Sequence, residues 1–286
     1  MKTRKDFMTI KTSRSFIPIS LLALVIALAT APCMKAAETV FGVSDQLNEI
    51  VSFDVAAPGT LLSAHNISGL QTGEQIRGID FVGGTLYGLG DGSHLYAINP
   101  NTGAATQVGA GTFSPALNGI DYGFNAGVSQ LYVSSDLGQN LTINPQTGVA
   151  TAGPNYTAGA SLDALAYNYV NGNFFGISAA NHNLSSVNPV TGGVTLIGAT
   201  GVSFSDRIGF DISPITDTAY FSGTVGGQTE FFTVNLSTGA LTLVGDVGTP
   251  GELTSGLDSI AVVPEPGTAA LLAVGGLLFG LLRRKK

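Results

Sequence analysis

Tryptophan is absent from this 286-residue chain, and cysteine occurs once, at Cys33. A lone cysteine forms no bridge within the chain and builds no thiolate metal cluster. Cations are nearly missing from the centre. Between Glu38 and Val263 the only Lys or Arg residues are Arg77 and Arg207, set against seventeen acidic residues. A body this anionic repels phosphate backbones, which argues against nucleic acid as a partner. Catalytic signatures are missing too. There is no H-E-x-x-H pair and no G-x-S-x-G elbow. His65, His94 and His182 are isolated, as loop histidines would be.

The cations that the centre lacks are gathered at the two ends. A basic stretch up to Arg14 precedes the apolar run Phe16–Ala31, and small residues follow in APCMKAAET. That order is the pattern of a secretory signal peptide, which predicts a leader over residues 1–37 cleaved near Ala36 or Ala37. Cleavage there removes Cys33, so the exported body must hold together through its core alone. A body of ~200 residues can bury about 70% of its unfolded surface. Glycine is abundant, 39 of 286 residues, which points to many turns and closely packed strands.

The body repeats itself. LYAINPNTGAATQVG from Leu95, LTINPQTGVATAGP from Leu141, LSSVNPVTGGVTLIG from Leu184 and FFTVNLSTGALTLVG from Phe231 align, with a weaker copy, IVSFDVAAPGTLLSA, from Ile50. Their turn-opening residues Asp54, Asn99, Asn144, Asn188 and Asn235 are spaced by 45, 45, 44 and 47. Asn or Asp opens an Asx-type turn and Thr-Gly closes it, between flanks of alternating apolar residues, so each copy reads as a hairpin. Two further strand candidates precede each of the last four copies: GIDF and TLYGLG, GIDY and QLYVSS, ALAY and NFFGIS, GFDI and TAYFSG. The first copy lacks its leading strand, and SIAVV (259–263) stands unpaired at the other end. A period of ~40–50 residues with four strands per repeat predicts an all-β fold, a five-bladed β-propeller of four-stranded antiparallel blades over residues 38–263. The C-terminal strand would complete the first blade and close the ring, which removes open sheet edges. A linear β-solenoid is the competing architecture, but it gives no reason for complementary half-blades at opposite termini.

Two resemblances add to this. The phrases GEQIRGIDF, LYAINPNTGAATQVGAGTFSPALNG and SSDLGQNLTINPQTG resemble, in that order, a family of bacterial exported proteins known as a domain of unknown function. The resemblance spans roughly Thr39 to Val262. NAGVSQ before Leu131 departs from it in lacking proline and basic residues. It implies a fold and little chemistry. The chain end, VPEPGTAALLAVGGLLFGLLRRKK, resembles a PEP-CTERM sorting signal over residues 264–286, with the preceding Val263 opening the motif. Val263, Pro264, Glu265 and Pro266 match the motif, Thr268–Leu282 the transmembrane helix, and Arg283, Arg284, Lys285 and Lys286 the cytoplasmic basic stop. That resemblance implies a Gram-negative-type bacterium, processing by an exosortase, and export to the cell surface or to an exopolysaccharide or biofilm matrix. The physics fits a transient inner-membrane anchor. Fifteen helical residues reach ~22 Å, short of a ~30 Å hydrocarbon core, and the basic end stays inside.

For a site, aligning the leading strands places Arg77, Asn118, Asp163, Arg207 and Asp258 at one mouth of the axis, Arg207 one position early. Both arginines of the body fall in this set, as a site for a small polar or acidic ligand requires; alternatively, they pair with acids such as Asp163 or Asp206. No cofactor is expected. Asp45, Asp91 and Asp136, at comparable turns, would be the oxygen donors if Ca²⁺ were bound, although such turns need no metal. Tyr87, Tyr122 and Tyr156 would serve polysaccharide adhesion if exposed, and core packing if buried. The function expected is that of a non-enzymatic binding or structural component of the cell surface or matrix. The alternative is a metal-assisted propeller hydrolase acting at the channel mouth.

Overall fold

The computed structural model describes residues 38–44, 47–157, 160–205, 207–253 and 256–264. The leader with Ala36 and Ala37, residues Glu265 and Pro266, the run Thr268–Leu282 and the basic end Arg283–Lys286 lie outside the described residues. Among the described residues no helix is long and apolar enough to cross a membrane.

The chain opens with β1 (Glu38–Ser44), β2 (Glu49–Asp54) and β3 (Ala57–Asn66). The second blade is β4 (Ile76–Val82), β5 (Thr85–Gly90), β6 (His94–Ile98) and β7 (Ala105–Val108). The third is β8 (Tyr122–Ala126), β9 (Leu131–Ser135), β10 (Asn140–Ile143) and β11 (Ala150–Ala152). The fourth is β12 (Ala164–Tyr167), β13 (Phe174–Ser178), β14 (Asn183–Asn188) and β15 (Gly193–Ala199). The fifth is β16 (Ile208–Ile212), β17 (Ala219–Val225), β18 (Gln228–Val234) and β19 (Leu241–Asp246), and β20 (Ser259–Pro264) ends the described chain. β20 joins the first sheet in the order β20-β1-β2-β3, antiparallel to β1, with Val263 opposite Thr39 and Ser259 opposite Val43. Strands β4, β8, β12, β16 and β20 touch one another in cyclic order. This is the predicted five-bladed propeller, closed by its C-terminal strand. Closure leaves only the outer strands as edges, and β-bulges interrupt the register of β3, β15 and β19, which blunts those edges.

The turns form for the reason the sequence suggests. Asp54, Asn99, Asn144, Asn188 and Asn235 each accept, through Oδ1, the backbone N–H two residues on, at 2.7–3.0 Å. In the four copies that carry Thr-Gly, the closing Gly takes a left-handed conformation, as at Gly103 (φ 71°) and Gly148 (φ 69°), which costs a glycine little. The leading strand of the third blade needs correction. It is not GIDY but the segment Tyr122–Ala126, and residues 119–121 are loop. A short inner hairpin to Leu131 requires a strand ending at Ala126, four residues later than the likeness of GIDY to GIDF implies.

Inner strands approach closely where a glycine stands near their start. A Cβ at Gly78 would lie 2.3 Å from that of Phe124, and one at Gly209 would lie 2.8 Å from the Ile260 amide. Between blades the core is aromatic and aliphatic. Across the closing seam, Phe231 of blade five packs edge-on against Phe53 of blade one at 5.1 Å and stacks on Tyr220. Phe53 and Phe231 are both fully buried, each contributing ~1.5–3 kcal/mol. The seam is also polar. The buried carboxylate of Glu38, at the start of β1, accepts hydroxyl bonds from Ser213, Thr216 and Tyr220 of blade five.

Candidate functional site

All five inner strands start at one end of the axis, which we call the mouth, and finish at the other, the exit. At the mouth the structure gathers Arg77, Asp121, Tyr122, Asp163, Arg207 and Asp258 around one depression. Four of the five expected residues are therefore brought together. Asn118 is not among them. The later start of β8 leaves it in the loop, where its Oδ1 accepts from Ser135 Oγ at 2.9 Å and its amide donates to Gln139. Asp121 stands in its place, and correct placement of the strand would have identified it.

Asp258 is the centre of this set. It precedes β20, and its Oδ1 lies 3.2 Å from Arg207 Nη1 of blade five and 3.4 Å from Arg77 Nη1 of blade two. Arg77 Nε also lies 3.5 Å from Asp91. Burial raises the Asp258 carboxyl above its ordinary range, and the two guanidiniums beside it pull the other way. The result is an Arg–Asp–Arg bridge spanning both neighbours of the closing strand. Asp163 accepts from Ser161 Oγ and, at 2.7 Å, from the Ala179 amide. The depression holds about 10 Å³, room for about one water molecule. Its acids outnumber its cations, so the mouth suits an acidic ligand poorly.

One layer inward lies a set that sequence reasoning missed. Asp80, Asn125 and Asp211 occupy the same position in three inner strands and are all buried. Asp80 accepts the Ala126 amide of the next blade, Asn125 the Tyr167 amide, and Asp211 the Val262 amide, at 2.6–2.9 Å. Asn125 Nδ2 donates to Asp211 at 3.0 Å. Burial pushes the Asp211 carboxyl up to about 6. Burial, and then the charge of Asp211, raises Asp80 well above the carboxylate range. These side chains lace adjacent blades by hydrogen bonds that backbone alone cannot make. The phrases Gly-Ile-Asp, Gly-Phe-Asn and Gly-Phe-Asp at 78, 123 and 209 carried the signal.

Asp91 and Asp136 accept the amides of Gln75 and Ile120, at the approaches to β4 and β8; Asp45 and Asp206 lie outside the described residues. Among the described residues no three His, Cys, Asp or Glu side chains stand close enough to share a metal ion. Tyr122 and Tyr156 are buried, and Tyr87 packs against the third blade's core. His65 and His94 lie in strands rather than loops, and His94 Nδ1 meets Glu74 at 3.1 Å.

Residues 49–257 match the family described as a domain of unknown function, DUF4394, and the chain belongs to that family. Residues 262–286 match the PEP-CTERM protein-sorting motif, which indicates an exported, cell-surface-directed propeller sorted by an exosortase. No curated protein matches the sequence. Among solved structures, the chain is similar to a structural genomics protein of unknown function from Bacteroides thetaiotaomicron. The identity is 16% and the TM-score 0.51, and the match covers 80% of this chain but 65% of that one. It is also similar to the glutaminyl cyclase of Myxococcus xanthus, at 13% identity and TM-score 0.50, over 68% of this chain and 87% of that one. At such identities the likeness shows the fold alone.

Proposed function

We propose that this chain is a secretory leader (1–37), a propeller body (38–263) and a sorting tail (264–286). The leader exports the body, the tail holds it at the inner membrane until an exosortase acts, and the body then serves the cell surface or exopolysaccharide matrix. There it is a non-enzymatic structural or binding component. In this reading Thr268–Leu282 enters the bilayer, the basic residues Arg283–Lys286 stay in the cytoplasm, and the anionic body stays outside.

The observation that carries this reading is the place where the tail begins. Val263 and Pro264, the first residues of the sorting motif, are paired in the closing sheet opposite Thr39 and Glu38. Folded disc and address label are thus one continuous strand, so whatever happens to the tail happens to an intact propeller. A second support is the mouth, where Arg77, Arg207 and Asp258 are engaged with one another around a space the size of a water. In this reading the set is a clamp on the closing strand rather than a ligand pocket.

Fractionation of cells with and without the exosortase gene tests the reading. With the enzyme, the body should reach the cell surface or medium with a shortened tail. Without it, the full-length chain should stay in the inner membrane. The same distribution in both strains would overturn the sorting claim. Hydrolase turnover by the purified chain that is lost in Asp163→Asn would overturn the non-enzymatic claim.

A further inference from the structure

The two ends of the axis differ in charge and in attachment. Strand direction places Asp91, Asp121, Asp136, Asp163 and Asp258 at the mouth. At the exit end, among the described residues, the acids that are not buried are Asp54 and Asp217. Each is engaged locally, Asp54 with the Ala56 amide and Asp217 with Asn168 Nδ2. The exit turns present apolar tips with no acid next to them in the chain, whereas the exposed Ile120 and Leu137 at the mouth stand beside Asp121 and Asp136. Val128 is 79% exposed, Val170 72% and Ile215 59%, and the half-exposed Tyr169 stands beside Val170. Next to Val263 an apolar recess of about 560 Å³ is lined by Phe41, Phe81, Pro100 and Pro214.

β20 ends at this same face. Between Pro264 and the apolar run from Thr268 stand Glu265, Pro266 and Gly267. Fully extended, that stretch spans at most about 14 Å. The headgroup layer on one side of a bilayer takes ~5–7 Å of that reach.

We infer that the exit face is a membrane-docking surface, whose occupant is the outer leaflet of the bilayer that holds the tail. The inference rests on the reading that Thr268–Leu282 is inserted. The short connection brings the face to the lipid. The scarcity of acid there lets it approach an anionic leaflet that repels the mouth face. Val128, Val170 and Ile215 then enter the interface as apolar tips, with Tyr169 at headgroup level. The recess beside Val263 receives acyl-chain ends or the apolar start of the tail. In this pose Glu265 and Pro266 of the sorting motif reach the headgroup layer, where a membrane-embedded protease can act on them, while Val263 and Pro264 stay in the sheet.

The absence of cysteine from the body makes the test direct. In a Cys33→Ser background, single variants Val128→Cys, Val170→Cys, Leu137→Cys and Leu277→Cys are labelled with an environment-sensitive fluorophore. Each full chain is reconstituted into phosphatidylethanolamine–phosphatidylglycerol vesicles containing a doxyl-labelled lipid. The tail label at 277 reports insertion and the label at 137 reports the mouth face. The expected result is blue-shifted, lipid-quenched emission at 128, 170 and 277, and unquenched emission at 137. A quenched tail with labels at 128 and 170 that behave like the one at 137 overturns the docking face alone. A blue shift at 128 and 170 without lipid quenching also overturns it, by indicating contact with a second copy of the chain. An unquenched tail overturns the anchoring reading and the docking face with it.

Discussion

The mouth and the exit face are made by the same five inner strands, yet they use polar chemistry differently. At the mouth, both arginines of the body converge on Asp258, which immediately precedes the strand that closes the ring. At the exit, the acids Asp54 and Asp217 each hold a local turn, and apolar side chains stand exposed in the turns of the third, fourth and fifth blades. The difference teaches where long-range order is needed. The mouth must fix a strand that arrives from the far end of the chain, more than 180 residues from its neighbour Arg77. The exit needs only local turns, which leaves its surface free to be apolar.

The largest effect that can break this contrast is at the clamp. Asp258→Ala leaves two guanidiniums facing each other at the seam, a type of change that costs ~3–5 kcal/mol when fully buried. The arginine side chains are 21% and 29% exposed, so about 2–4 kcal/mol is expected in urea unfolding. A loss below about 0.5 kcal/mol, the scale of an ordinary surface change, would mean that the clamp does not hold the seam.

The interior layer comes next. The folded carboxyls of Asp80 and Asp211 are raised above their unfolded value, Asp211 to about 6. The Asp211 contribution is therefore fully present below about pH 4 and is lost as pH rises through about 6, and that of Asp80 has the same sign. The body should be more stable at pH 5 than at pH 7.5, on the order of 1–3 kcal/mol. Chemical denaturation across that window measures the difference, and in Asp211→Asn it should shrink. Stability that rises with pH over the same window would contradict the assignment.

The smallest effect lies at the exit. Asp217→Asn, which tolerates the left-handed backbone at this position (φ 57°), weakens one bond to the buried side chain of Asn168 and is expected to cost about 1 kcal/mol or less. A cost equal to that of Asp258→Ala would erase the contrast between the two ends.

Much of this was legible in the sequence, for stated physical reasons. Turn chemistry is local, so five Asx residues at a near-constant spacing revealed five hairpins, and each makes its bond. Ring closure followed from counting strands, since SIAVV had one vacant place to go. The third inner strand was misplaced because GIDY repeats the letters of GIDF, whereas hairpin length, not likeness, fixes the register. That slip put Asn118 at the mouth and hid Asp121. The Asp80–Asn125–Asp211 layer was missed because a carboxylate inside an apolar strand normally argues against burial. Its partners are amides of the neighbouring blade, which no local pattern announces. Glu38 was illegible for the same reason, its hydroxyl partners lying about 175 residues away.

The central claim is that Ser259–Pro264 is an integral inner strand and not a loosely attached tail. Native-state hydrogen exchange of the Ile260, Ala261 and Val262 amides tests it most directly. The account predicts that they exchange only through global unfolding, with the same free energy as Ile79 and Asp80 in β4. Exchange by local opening, several kcal/mol below the global value and at the level of fraying termini, would contradict it.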